Sequence, residues 1–125
     1  MKQKFYKCET CGQIVAMVKA TGVPIMCCGT AMKEIIAGTT EASLEKHIPQ
    51  YIVEDNIVKV SIGSTEHPMT PEHYIEWVSI QTKKGNQRKA LSAGMQPYIE
   101  FLITEDDEIE AVYAYCNLHG LWKAN

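Results

Sequence analysis

The chain has 125 residues, 46% of them hydrophobic and 22% charged, with a formal net charge of −3; that suits a folded domain, or a small and a medium one, and excludes a disordered chain. No apolar run approaches the roughly 20 residues of a membrane helix, and no apolar leader opens the chain, so a cytoplasmic protein with no membrane partner is expected. Residues 1–36 carry five Lys and two Glu (net +3) and residues 37–125 seven Lys or Arg and thirteen Asp or Glu (net −6), and neither part has the dense basic patch of a nucleic-acid binder.

The first segment holds four of the five cysteines and few large side chains. So short a segment buries little core and usually needs a staple. Cys8-Glu9-Thr10-Cys11-Gly12 is a C-x-x-C-G knuckle, and Gly12 permits the positive φ that such a turn often needs. Cys27-Cys28-Gly29 supplies a second pair with no gap. In a reducing compartment, clustered thiols are metal ligands or redox groups more often than disulfides. Four thiolates within 21 residues suit a tetrahedral all-sulfur site for zinc or iron, and the spacing does not choose between them. A thioredoxin-like C-x-x-C would open a helix in a βαβ setting, which this short segment does not offer. Gly38-Thr39-Thr40 makes a plausible linker, which sets domain bounds at 1–37 and 38–125.

The second segment reads as β-structure. A helical turn over 41–46 comes first. Val58, Val60 and Ile62 alternate with Lys59 and Ser61, the period of a half-buried strand, and Glu54-Asp55-Asn56 is the hairpin turn before it. Residues 74–81 are aromatic and β-branched, and Lys84-Gly85-Asn86 reads as the next turn. Ile99, Phe101 and Ile103 alternate, an acidic run over 105–108 breaks the pattern, and Ile109, Ala111, Tyr113 and Tyr115 form a last apolar set. Short strands at this spacing predict a sandwich or barrel.

All four histidines lie in this segment, outside the clear strand patterns. His47 precedes Pro49. His67 and His73 bound a loop pinned by Pro68 and Pro71. His119 follows Cys116 in a C-x-x-H turn. Any one of them alone reads as an ordinary surface or hydrogen-bonded histidine. Together with Cys116 they make five donors on loops, which sandwiches gather at their ends. Structural zinc closes at four ligands, whereas five with an open sixth position fit a redox metal that binds a small molecule.

The motifs C-x-x-C-G, C-C-G, E-K-H-x-P, H-P-M-x-x-x-H-x-x-x-W and C-N-x-H-G-x-W stand at 8–12, 27–29, 45–49, 67–77 and 116–122. This set resembles the desulfoferrodoxins, the two-iron class of superoxide reductase. The resemblance covers nearly the whole chain, although 83–107 carries no family signature. It implies a mainly β protein: a desulforedoxin-like metal domain followed by an immunoglobulin-like sandwich of seven strands. It implies two irons, one held by Cys8, Cys11, Cys27 and Cys28 as an electron relay. The other would have His47, His67, His73 and His119 as equatorial ligands and Cys116 as the axial one. The implied reaction takes superoxide, one electron and two protons to hydrogen peroxide. Glu45 and Lys46 would serve at the open face, the first as a ligand after product leaves and the second as a positive charge that attracts the anion. A rubredoxin-like carrier or a reductase would supply the electron, and a homodimer is implied. The rivals are a zinc-stapled binding module, a rubredoxin-like electron carrier and a superoxide dismutase.

Overall fold

The computed structural model describes residues 2–39, 42 and 44–125, with the side chain of Glu45 excepted. The helical turn expected over 41–46 falls partly outside these residues; within them a four-residue helix α1 covers Leu44–His47. The chain divides into two compact units, Met1–Ile36 and Ala37–Asn125.

The first unit has five short strands: β1 (Phe5–Lys7), β2 (Ile14–Ala16), β3 (Met26–Cys27), β4 (Thr30–Ala31) and β5 (Lys33–Glu34). An antiparallel sheet runs β2-β1-β5, and β3 pairs with β4 as a separate hairpin. None of these strands exceeds three residues, so their ladders alone hold little.

Among the described residues the second unit holds seven strands: β6 (Pro49–Glu54), β7 (Ile57–Ile62), β8 (Ile75–Thr82), β9 (Gly85–Ala90), β10 (Tyr98–Leu102), β11 (Ile109–Cys116) and β12 (Gly120–Ala124). They form two antiparallel sheets, β10-β7-β6 and β12-β11-β8-β9. Val58, Val60 and Ile62 of β7 face inward with Phe101 of β10 and meet Ile75, Val78 and Ile80 of β8 and Val112, Ala114 and Cys116 of β11. This is the expected mainly β sandwich of seven strands. The turn between β6 and β7 is Asp55-Asn56, with φ of 51° and 66°. Both residues are left-handed, as a two-residue hairpin loop that matches strand twist requires.

One expectation needs correction. Lys84-Gly85-Asn86 is not the turn: the turn is Lys83-Lys84, and Gly85 opens β9. All six residues of β9 are exposed, so the strand has no apolar alternation to betray it. It is an edge, and it is tied down by side chains. Gln87 Nε2 donates to the Leu102 carbonyl at 2.8 Å, and Lys89 Nζ to that of Glu100 at 2.7 Å, so the open side of β10 is partly satisfied too. In β11 the apolar set Ala111, Tyr113, Tyr115 is not the face that meets the sandwich core. Val112, Ala114 and Cys116 take that face, and both phases are buried. A strand buried on both sides shows no single phase in sequence.

Phe101 is 1% exposed and packs within this core. Phe101→Ala is expected to lower unfolding free energy by about 3–5 kcal/mol in chemical denaturation, against less than about 0.5 kcal/mol for Asn86→Ala on the exposed edge.

Candidate metal centres

In the first unit the C-x-x-C-G stretch forms a tight knuckle between β1 and β2. Cys8 N–H donates to the Gln13 carbonyl and Gly12 N–H to that of Cys8, both at 2.9 Å, and Gly12 has φ of 81°. Facing it, Cys27 ends β3, and Cys28-Gly29 is the two-residue turn into β4, with φ of 54° and 76°. A non-glycine residue at positive φ is uncommon. Here it lets two adjacent cysteines present their sulfurs to the same point.

The four sulfurs lie within 4.8 Å of one another. Cys11 Sγ is 3.7 Å from Cys27 Sγ, and Cys27 Sγ is 4.0 Å from Cys28 Sγ. These distances far exceed the roughly 2.05 Å of a disulfide. Four sulfurs placed tetrahedrally about 2.3 Å from one ion would stand about 3.8 Å apart. The set therefore fits an ion of that size. Its protonation is correspondingly uneven. The backbone N–H of Cys11 on its sulfur is the chief cause that brings Cys8 down to about 6, whereas the sulfurs of Cys8 and Cys11 beside it push Cys27 up to about 12. Removing successive protons from crowded thiols places like charges together, and a cation relieves that repulsion.

The second unit gathers its donors at one end of the sandwich because its strands are antiparallel. The start of β6, the end of β7, the start of β8, the end of β11 and the start of β12 all meet there, since Pro49 pairs with Ile62 and Cys116 pairs with Ile75 and Gly120. His47 ends α1 just before β6, His67 and His73 lie in the β7–β8 loop, Cys116 ends β11, and His119 lies in the turn to β12. A register shift between Tyr115 and Cys116 skips Glu76 on β8 and turns Ile75 inward beside Cys116.

The four imidazoles occupy the corners of a near-square. Ring centroids are 4.6 Å apart for His47–His67, 4.7 Å for His67–His73, 5.0 Å for His73–His119 and 4.9 Å for His119–His47, while the diagonal His47–His73 is 6.2 Å. Adjacent rings stand edge to face at 77–90°. His119 Nδ1 and His47 Nε2 are 3.1 Å apart, close to the roughly 3.0 Å of two nitrogens at right angles about 2.1 Å from one ion. Cys116 Sγ lies within 4.8 Å of the ligand atoms of His47, His67 and His73 and 3.9 Å from His119 Nδ1.

Hydrogen bonding shows which nitrogens are held ready. His67 Nδ1 donates to the Pro68 carbonyl at 2.6 Å, which leaves the lone pair on Nε2. His67 Nε2 and His73 Nε2 are buried and, among the described residues, have no hydrogen-bond partner. Such atoms are costly to bury unless something binds them. Burial holds His67 down to about 4, so its imidazole is neutral at physiological pH. His73 is lowered too, by burial first, then by His119 and by the ammonium of Lys46, which places Lys46 in electrostatic reach of the square. Burial raises Cys116, against N–H groups of His119 and Leu118 that favour its thiolate. Trp122 carries a role that sequence alone did not reveal: its ring stacks on His47 at 4.9 Å, and its Nε1 donates to the His119 carbonyl at 3.1 Å. Glu45 lies in α1, but its side chain is outside the described residues.

Comparison with known proteins agrees with this geometry. The desulfoferrodoxin family model matches residues 39–125, and the model of the desulfoferrodoxin N-terminal domain matches residues 1–35. A desulfoferrodoxin homolog from Archaeoglobus fulgidus is 42% identical over 119 residues, covering 95% of this chain and 94% of the relative. A desulfoferrodoxin from Nitratidesulfovibrio vulgaris is 40% identical over 121 residues, covering 97% and 94%. The crystal structure of the superoxide reductase from Treponema pallidum superposes with a TM-score of 0.85 at 38% identity and covers 100% of both chains.

His119→Ala removes one corner of the square. It is expected to abolish or sharply weaken metal binding at the second centre and leave the four-cysteine centre loaded. Metal quantitation and visible absorption check this, and a normal second-centre spectrum would remove His119 from the ligand set.

Proposed function

The chain belongs to the desulfoferrodoxin family, and we propose that it is a superoxide reductase which converts superoxide, one electron and two protons to hydrogen peroxide. The observation that carries this reading is the square of four imidazoles with the Cys116 thiol close to all of them. Five donors exceed what a structural zinc needs, and their softness and geometry suit iron. Iron, when bound there, supplies a one-electron change and a free position for a small anion.

The chain's own residues do the rest. His47, His67, His73 and His119 would hold the ion with neutral nitrogens, so the centre keeps a positive charge toward an anion. Cys116 would add a thiolate, whose electron donation strengthens the reducing character of the centre. Its core position keeps the sulfur away from solvent. Lys46 is exposed on α1 and would raise the local potential where superoxide approaches. Glu45, one residue before it, would serve at the same open face. Local potential governs the encounter, so the net charge of −6 over 37–125 does not oppose it.

Cys8, Cys11, Cys27 and Cys28 would hold the other iron, at the first centre, as a relay. Their shell closes with four donors, which leaves no position for superoxide. A rubredoxin-like carrier or a reductase would deliver the electron. The domain bounds 1–37 and 38–125, a homodimeric state and a cytoplasmic location belong to the same proposal. They are supported by the linker at Gly38-Thr39-Thr40, the family likeness and the free cysteines. Among the described residues no helix is long and apolar enough to cross a membrane.

Cys11→Ser should lose the four-cysteine iron and still reduce superoxide with an artificial donor; loss of that activity with the second iron in place would make the relay indispensable. Lys46→Ala should leave iron content unchanged and lower the second-order rate with superoxide. A steering charge is screened over a Debye length of about 8–10 Å, so the wild-type rate should fall more steeply with salt than that of Lys46→Ala. Lys46→Arg should keep most of the rate and Lys46→Glu should be slowest. Pulse-generated superoxide at several salt concentrations measures this, and equal rates and slopes would end the steering role.

A further inference from the structure

His47 ends α1 just before β6, Cys116 ends β11 and His119 lies in the tight turn between two paired strands, whereas His67 and His73 share a loop of twelve residues between β7 and β8, with His73 near its end. Its own N–H and C=O bond to Thr70, at 3.1 and 3.0 Å, which closes a small turn on itself. That turn must still be placed against the β11–β12 corner that carries Cys116 and His119.

One side chain does this. The β8–β11 ladder reaches Cys116 opposite Ile75, so Asn117 stands opposite Tyr74. Asn117 N–H donates to the Tyr74 carbonyl at 3.2 Å, as the next rung should. The returning rung would need the Asn117 carbonyl, but the main chain is turning there toward Gly120, at φ of 79°. The side-chain amide takes its place. Asn117 Oδ1 accepts from Tyr74 N–H at 3.0 Å, and Asn117 Nδ2 donates to the Glu72 carbonyl at 3.0 Å. The amide thus grips the peptide groups on both sides of His73, while its own backbone joins Cys116 to the His119 turn.

We propose that Asn117 is the positioning residue that holds His73 in register with Cys116 and His119, so that the square of imidazoles is set before metal enters. No other residue type offers both functions at this length. Asp keeps the acceptor for Tyr74 but opposes the Glu72 carbonyl with a second oxygen. Ala keeps neither. The inference rests on the second centre binding iron as proposed above.

The test uses the full-length, iron-loaded protein as wild type, Asn117→Ala, Asn117→Asp and Gln87→Ala. The last removes a side-chain to main-chain bond of the same kind at the edge of the sandwich. The measurements are the rate of iron loss from the second centre to excess ferrous chelator, the thiolate-to-iron absorption, and hydrogen exchange at the Tyr74 amide. Loss of a residue that orients a ligand typically costs about 10–100-fold in metal affinity. Asn117→Ala should therefore release the second iron about 10–100 times faster, with a shifted absorption band and a faster Tyr74 amide, and with the four-cysteine iron unchanged. Asn117→Asp should fall between it and wild type and keep the Tyr74 amide protected. Gln87→Ala should match wild type. Release from Asn117→Ala at the wild-type rate would overturn the proposal, and so would an equal acceleration in Gln87→Ala, since that would be general loosening. If Asn117→Ala does not fold, Asn117→Asp decides alone: faster release with a protected Tyr74 amide supports the clamp, and wild-type release refutes it. Failure of the wild type itself to hold iron at this centre would instead count against the function proposed, and Tyr74 exchange in Asn117→Ala would still decide the clamp.

Discussion

Two groups of lone-pair donors crowded to within 4.8 Å, Cys8, Cys11, Cys27 and Cys28 in one and His47, His67, His73 and Cys116 in the other, with neither sealed by disulfides, set the terms for everything else in this protein. Neutral nitrogens with no partner are expensive to bury, and thiolates packed together repel. A cation at the centre of each group removes both costs at once. The fold therefore has to spend packing and hydrogen bonds on holding donors where, without the ion, they would rather separate.

The two units meet that demand differently. In the first, the donors come from two local turns, and the pull of the ion stands in for the hydrophobic core that so few residues cannot build. In the second, a full sandwich core comes first, and the site is placed on its end. Cys116 belongs to both: its sulfur is a core side chain and a member of the donor set. Its position is thus as rigid as the packing around Val112 and Ala114. The histidines are then fastened to that corner by neighbours that are not donors themselves. Pro68 sets the His67 tautomer, Trp122 backs His47 and binds the turn of His119, and Thr70 closes the turn at His73.

The same division explains why the site can be both reactive and stable. Steric and hydrogen-bonding constraints sit on the buried side, where His47 and His67 are 2% and 1% exposed. His73 and His119 lie nearer the surface, with Lys46 in electrostatic reach.

Much of this was legible in the order of residues alone. Cysteine pairs next to glycine announce a metal knuckle because the chain must turn sharply to bring two sulfurs to one point, and that need is local. The alternation of Val58, Val60 and Ile62 announces a strand for the same reason: a pleated chain shows its buried face every second residue. The five donors of the second centre were recognisable as types, and His67, His73 and His119 as loop or turn residues, whereas His47 ends α1 and Cys116 ends β11; the family likeness supplied their assembly. What only the tertiary structure decided are the relations between distant segments. The exposed strand β9 has no pattern of its own and exists because β8 offers it a ladder. The inward phase of β11 was invisible because both its faces are buried. The closing of the square between His119 and both His47 and His73, the stacking of Trp122 on His47 and the grip of Asn117 across His73 join residues 43 to 75 positions apart. No local propensity encodes such distances; antiparallel pairing brings the ends of those strands to one edge, and packing then fixes which atoms meet.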